Sequence, residues 1–151
     1  FSGNGQSATG GTVKKWKEGG KVDAAFVQTT SSFEPLNFLA HPSNGITKLN
    51  NTMCPILRVG SAIAHDGVTS GYKSGTIKSL SYSGNFDGIA LTNLITANYV
   101  SAGGDSGGAV FVPSSNGEGL VAGIHKGSVN SNTKVFVNAD NIYAAFGYSR
   151  Y

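Results

Sequence analysis

The pentapeptide Gly104-Asp105-Ser106-Gly107-Gly108 is the most informative stretch of this 151-residue sequence. Glycines on both sides of a serine let the backbone approach closely and adopt positive φ angles. Such a turn can present the serine hydroxyl as a nucleophile, while the N–H groups of Gly104 and Ser106 point at a developing oxyanion. The same pattern also occurs in structural turns, so the surrounding sequence must decide between the two interpretations.

The sequence around this turn is rich in short strands. Six segments from residue 56 onward have strand-forming composition and are separated by Gly/Ser/Asn-rich turns. They are 56–64, 71–80, 88–92, 109–112, 119–125 and 134–138. Six antiparallel strands can close into one barrel. The helical spacing of Ile142, Ala145 and Phe146 predicts a short C-terminal helix, with Asp140 as its cap.

The N-terminal third has fewer strand signals. Residues 12–17 and 22–28 predict two strands that form a hairpin around Glu18-Gly19-Gly20. Two strands alone would leave unpaired edges and an uncovered apolar face. We therefore expect residues 1–35 to be the C-terminal part of a first barrel, followed by a linker over 36–55. Residues 56–138 would form the second barrel, and 139–151 the helix and tail.

Composition supports an all-β class and argues against several functions. Charged residues are 13% of the chain and glycines number 22, which suits short strands and tight turns. No apolar run approaches the roughly 18 residues of a membrane span. The formal charge of +3 is mild, and the cluster Lys14-Lys15-Trp16-Lys17 fits a solvated strand better than a nucleic-acid site. No His/Cys/Asp/Glu cluster has metal-ligand spacing, so we expect neither a metal nor a cofactor.

The start of the chain suggests processing, and the Ser/Thr/Gly/Asn-rich composition suggests secretion. The sequence begins at Phe1 without an initiator Met or a leader, which predicts a trimmed product. Cys54 cannot form an internal disulfide; it either pairs with another chain or is a buried free thiol. Asn50-Asn51-Thr52 is a glycosylation sequon, a pattern that often arises by chance.

Three stretches resemble the chymotrypsin-fold serine peptidases, especially the small bacterial streptogrisin type. Residues 59–77 look like the paired strands that precede the nucleophile in that family. Gly104–Gly108 matches its nucleophile motif, and the segment Gly123-Ile124-His125-Lys126-Gly127-Ser128 matches its pocket strand. The resemblance implies a double six-stranded barrel with the active site between the barrels, here with the first barrel incomplete.

The resemblance also assigns a catalytic aspartate but leaves the base unassigned. Asp23, in an otherwise apolar strand, matches the triad aspartate, whose role is to orient a histidine and stabilise its imidazolium. The family order is His, Asp, Ser, yet no histidine precedes Asp23. Of the histidines present, His41 lies in the expected linker, and His65 adjoins the turn at Asp66-Gly67, where we expect it to be solvated. Neither is at the base position.

The pocket strand implies a preference for acidic substrates. A histidine occupies this strand in the glutamate-specific members of the family, and His125 stands there in this sequence. With the hydroxyls of Ser101 and Ser128 beside Gly127, it would donate hydrogen bonds to a substrate carboxylate without burying a permanent charge. A structural histidine bonded within the barrel is the alternative. The family also implies a cation beside Asp105, with Arg58, a lysine or an absent segment as candidates.

These observations predict a secreted serine endopeptidase that cleaves after Glu, and less readily after Asp, through an acyl-enzyme. The catalytic histidine would come from an upstream companion fragment produced by proteolytic processing, held by strand pairing and disulfide-linked through Cys54. A protease-like binding or structural protein that has lost its base is the second hypothesis. A truncated form of an active enzyme is the third.

Overall fold

The structure is a computed structural model that describes residues 2–3, 6–7, 10–43, 45–51 and 55–148. Cys54 and the threonine of the Asn50 sequon fall outside these residues. In the described part of the chain, no helix is long and apolar enough to cross a bilayer. The elements are β1 (Ser2–Gly3), β2 (Gln6–Ser7), β3 (Gly11–Gly19), β4 (Val22–Thr29), β5 (Phe38–Ser43), β6 (Ile46–Asn50), β7 (Ala62–Gly67), β8 (Gly71–Phe86), β9 (Ile89–Ala97), β10 (Ala109–Pro113), β11 (Glu118–Asn130), β12 (Thr133–Asn138) and α1 (Ala139–Phe146).

Six strands of the C-terminal half close into a ring, which confirms the predicted barrel. The order is β10-β7-β8-β9-β12-β11, and β11 pairs back with β10. β8 and β11 are longer than predicted. Register shifts occur within their pairing, and such bulges let one long strand bend and continue around the barrel. The strand predicted over residues 56–64 is β7, which begins only at Ala62. Gly60, with φ of 85°, turns the chain just before it.

The interior of this ring is filled by an apolar core. The strands alternate inward and outward side chains, as a barrel wall requires, and burial of each large inward residue contributes about 1.5–3 kcal/mol. The main cluster consists of Ile63, Ile77, Ile95, Ala97, Tyr99, Val110, Ala122 and Phe136. This core makes the C-terminal half a rigid base for the loops at its rim.

Residues 36–55 contain two strands that the sequence did not predict. β6 runs parallel to β11, with Lys48 opposite Glu118, and β5 pairs with β6 at the edge of the sheet. The Lys48 ammonium lies 3.0 Å from the Glu118 carboxylate. Pro42 is tolerated in β5 because an edge strand can spare an N–H group. This pairing joins segments far apart in sequence, so local patterns could not reveal it. The predicted division of the chain into two barrels, a linker and a tail stays a prediction.

The predicted N-terminal hairpin forms as a separate two-stranded sheet of β3 and β4. It touches the barrel at Gly20, whose N–H donates to the Ala90 carbonyl at 3.1 Å and whose carbonyl accepts from the Thr92 N–H at 2.6 Å. Trp16 is 71% exposed and Val13 55% exposed. A two-stranded sheet is marginal by itself, and this one leaves large apolar side chains uncovered.

The predicted C-terminal helix is α1, but its cap differs from expectation. Asn138, not Asp140, is the N-cap, and its side-chain oxygen accepts from the Asp140 N–H at 2.8 Å. Asp140 instead lies in the first turn, where a negative charge favours the helix dipole. Gly147 ends the helix in the left-handed conformation, with φ of 71°.

Candidate active site

The turn that carries Ser106 lies at the rim of the barrel between β9 and β10. Gly104 has φ of 98°, and a Cβ there would meet the Thr69 Oγ1 at 2.6 Å, so only glycine fits. The Gly107 N–H donates to the His125 carbonyl at 2.9 Å, which fastens the turn to β11. Ser106 is exposed, and its hydroxyl donates to the Lys126 carbonyl at 3.0 Å. The structure therefore presents this serine outward on a rigid turn.

Asp105 anchors the turn from below. Its buried carboxylate accepts from the Ser70 hydroxyl at 2.6 Å and from the N–H groups of Thr69, Ser70 and Ala102 at 2.8, 3.1 and 2.8 Å. Burial acts to raise the pKa of Asp105, but these hydrogen bonds outweigh it and hold the pKa well below its usual range. The carboxylate is thus ionised and fully engaged.

The expected cation beside Asp105 is therefore not what this structure shows. Among the described residues, the Asp105 carboxylate has one ion-pair contact, with His65, whose Nε2 lies 3.7 Å from Oδ2, too far for a hydrogen bond. Hydrogen-bond donors of the β7–β8 turn take the place of a salt bridge. Sequence reasoning missed Thr69 and Ser70 because their role depends on a contact across the barrel.

Asp23, the predicted triad aspartate, lies on β4 and is half-buried. Its Oδ2 is 2.6 Å from the Nζ of Lys126, a residue not predicted to be in the site. Because the carbonyl of Lys126 also accepts from Ser106, one residue links the two predicted catalytic groups. The register of β11 against β12 skips Lys126 between His125 and Gly127, and such bulges redirect side chains. A lysine next to the predicted pocket histidine was the available signal.

None of the three histidines takes the position of a catalytic base in the described structure. His41 is exposed, and its Nδ1 lies 2.8 Å from the Asp66 carboxylate. His65 was predicted to be solvated, and that prediction is wrong. It is fully buried on the inward side of β7, because the inward alternation of the strand extends up to the turn. His125 is buried on β11.

His125 and its neighbours form an aromatic cluster behind the pocket strand. The His125 Nδ1 is 2.9 Å from the Tyr99 hydroxyl, and the rings of His65 and His125 lie 4.8 Å apart. Burial, and then the neighbouring His65, lower the pKa of His125 to about 4, so its ring is neutral at pH 7. Of the other predicted pocket residues, Ser101 and Gly127 are half-buried and Ser128 is exposed.

The closed barrel, the attached hairpin and the Ser106 turn together define the chymotrypsin-like fold of the serine peptidases. No family model matches the sequence. The chain is 29% identical over 131 residues to Glutamyl endopeptidase 2 of Streptomyces griseus, a match that covers 85% of this chain and 66% of that protein. The chain thus spans just under two thirds of that relative's length.

Solved structures support the same class. A glutamic-acid-specific serine protease that uses a histidine triad in substrate binding superposes with a TM-score of 0.71 at 27% identity, over 87% of this chain and 68% of that one. Cellulomonas bogoriensis chymotrypsin gives 0.68 at 26% identity, over 87% and 70%. The predicted all-β, chymotrypsin-like fold is confirmed.

Proposed function

We propose that this protein is a serine endopeptidase with Ser106 as nucleophile. The observation that carries the proposal is the Ser106 turn: an exposed hydroxyl between two glycines of positive φ, anchored by the ionised Asp105 beneath it. The similarity to peptidases of this fold supports the assignment. The N–H groups of Gly104 and Ser106 would form the oxyanion hole, and peptides or proteins would be the substrates.

The proposed reaction proceeds through an acyl-enzyme. The Ser106 Oγ attacks the scissile carbonyl carbon while its proton passes to a histidine held by Asp23. The oxyanion is stabilised by the two N–H groups and collapses as the histidine protonates the leaving amine. Water, deprotonated by the same histidine, then attacks the acyl carbon, and Ser106 leaves with its proton restored.

The histidine in this mechanism would come from a segment outside this chain. His41 contacts Asp66, whereas His65 and His125 contact Tyr99 and each other. Among the described residues, none of these histidines contacts Asp23. The hairpin offers a place for such a segment, because Val13, Trp16 and Phe26 are exposed on a sheet of only two strands. We propose that a histidine-bearing companion segment adds strands here and covers these side chains. A disulfide to Cys54 would hold it covalently.

Cleavage after Glu, and less readily after Asp, is the proposed specificity. The curated relative is a glutamyl endopeptidase, and the superposed glutamic-acid-specific protease binds substrate through histidines. In this chain the neutral His125, with Ser101, Gly127 and Ser128, would line the pocket that receives the substrate carboxylate. Secretion is part of the same proposal.

A binding protein without catalysis is the second candidate, and one observation favours it. The Lys126 Nζ lies 2.6 Å from the Oδ2 of Asp23. A catalytic triad needs this carboxylate to hold its histidine. A carboxylate has a second oxygen with free lone pairs, so this ion pair does not by itself prevent histidine binding. The two candidates therefore differ in whether a base reaches Ser106.

The deciding experiment is labelling of native, unreduced protein with a fluorophosphonate, followed by mass mapping of every chain present. We expect labelling at Ser106 and a co-purifying peptide that contains a histidine. Ser106→Ala should abolish the label, whereas Ser114→Ala, a serine outside the site, should retain it. A protein with no companion chain and no label at Ser106 would contradict the enzyme proposal and favour a binding protein.

A further inference from the structure

The buried hydrogen bond between Tyr99 and His125 has a direction that can be deduced. Tyr99 and His125 are 1% and 3% exposed, and their polar atoms meet at 2.9 Å. A phenol carries one proton and loses free energy if that proton is buried without an acceptor. Among the described residues, the Tyr99 hydroxyl has no hydrogen-bond partner besides the Nδ1 of His125. The favourable arrangement has Tyr99 donating to Nδ1.

That direction determines the tautomer of the histidine. A neutral imidazole holds one proton, so an Nδ1 that accepts leaves the proton on Nε2. Burial raises the pKa of Tyr99 well above its usual range, so its hydroxyl remains protonated. We propose that Tyr99 is a positioning residue that holds His125 in the Nε2–H tautomer and thereby supplies the donor for an acidic substrate side chain. The second half of this inference rests on the proposed function.

The position of Tyr99 is itself rigidly defined. Gly75 leaves room for it, because a Cβ at that residue would lie 2.5 Å from the Tyr99 nitrogen. The adjacent Asn98 accepts from the Thr76 N–H at 2.6 Å, which ties this segment to β8. Tyr99 precedes Ser101 by two residues. The Tyr99 hydroxyl and the proposed pocket residue Ser101 therefore belong to the same fixed segment.

His65 completes the support. Its ring stacks on Tyr99 at a centroid distance of 5.1 Å and 23° between planes, and both its nitrogens lack hydrogen-bond partners in the described structure. Burial lowers its pKa, so it packs as a neutral ring. It therefore restrains the Tyr99 ring without competing for the Tyr99 hydroxyl or for His125. His65 and Tyr99 thus pack together against His125.

The tautomer is testable without enzymatic activity. Nitrogen-15 NMR of histidine-labelled native protein, with any companion chain retained, distinguishes the protonated from the bare ring nitrogen. We expect His125 to carry its proton on Nε2 in the wild type. Tyr99→Phe, which removes only the hydroxyl, should give a mixture of tautomers. Tyr82→Phe, in a separate apolar cluster, should leave His125 unchanged. A wild-type Nδ1–H tautomer, or an unchanged tautomer in Tyr99→Phe, would overturn the proposal.

Substrate recognition is measured separately with product-like peptides that end in Glu or Gln. Loss of one oriented hydrogen bond to a carboxylate should reduce the Glu-over-Gln affinity ratio of Tyr99→Phe by roughly tenfold or more. The control Tyr82→Phe should keep both the Glu-over-Gln affinity ratio and the rate of fluorophosphonate labelling at Ser106. A wild type with the expected tautomer but no preference for Glu would refute the proposed specificity while supporting the positioning role. A Tyr99→Phe variant that keeps the full preference would refute the recognition half of the inference.

Discussion

The barrel of residues 62–138 and the hairpin of β3 and β4 differ in how completely they pair their strands and bury their apolar side chains. The barrel closes on itself, buries its inward side chains and holds Asp105 with four donors from its own loops. The hairpin has one ladder, leaves Trp16 71% exposed and contributes a single candidate catalytic group, Asp23. The nucleophile turn is thus held by groups of its own barrel, whereas in the proposed mechanism the base would come from a segment added to the hairpin.

The largest effect should come from Asp23→Asn, which tests whether the hairpin contributes to catalysis. If Asp23 orients the base, we expect kcat to fall by about 10⁴-fold, because an amide stabilises the wrong histidine tautomer. The control Asp87→Asn changes an exposed turn residue and should leave peptidase activity intact. Activity is measured on Glu-containing peptides with the companion chain present. An Asp23→Asn enzyme of near wild-type rate would remove Asp23 from the mechanism.

The next effect should be on the stability of the barrel. Asp105→Asn replaces a carboxylate that accepts four hydrogen bonds with a group that can accept only part of them, and breaking such a buried network costs about 3–5 kcal/mol. Denaturant unfolding measures this loss. Asp87→Asn, at an exposed turn residue, should cost under about 1 kcal/mol. Equal losses in the two variants would show that Asp105 is not the anchor of the turn.

A smaller effect is the acid sensitivity of the barrel. The pKa of His125 is about 4 in the folded state and about 6.5 unfolded, so the unfolded chain binds the proton first. The free energy of unfolding should therefore be at its full value above about pH 6.5 and fall by about 3 kcal/mol between about pH 6.5 and pH 4. The lowered pKa of His65 acts in the same direction. His125→Gln should flatten the profile, and an equally steep profile in that variant would exclude His125 as the cause.

The smallest expected effect is on local stability, measured by hydrogen exchange in the hairpin and in the barrel after loss of the Lys126–Asp23 ion pair. Lys126→Met removes the ion pair to Asp23, and a partly exposed pair contributes about 0.2–1 kcal/mol. Hydrogen exchange should therefore quicken in β4 but not in β9 or β12. Lys134→Met, on β12, serves as a control for loss of a lysine from the barrel. Faster exchange throughout the barrel of Lys126→Met would mean that this residue stabilises more than the hairpin contact.

Local patterns in the sequence were sufficient for elements that depend on near neighbours. The six barrel strands, the hairpin around Gly19 and the C-terminal helix follow from alternation, turn residues and helical spacing. The Ser106 turn was recognisable because only glycines permit its backbone, and that constraint is local. Asp23 and His125 were found through their resemblance to peptidase motifs, and their functional roles remain predictions.

The tertiary structure decided whatever depends on residues distant in sequence. β5 and β6 exist because β11 offers an edge for β6, and no local pattern encodes that partner. Asp105 is held by the turn between β7 and β8 rather than by the expected cation, His65 is buried rather than solvated, and Lys126 bridges Asp23 and Ser106. Hydrogen bonds and ion pairs act over a few ångströms, so only the folded chain shows which of these groups come within reach of one another.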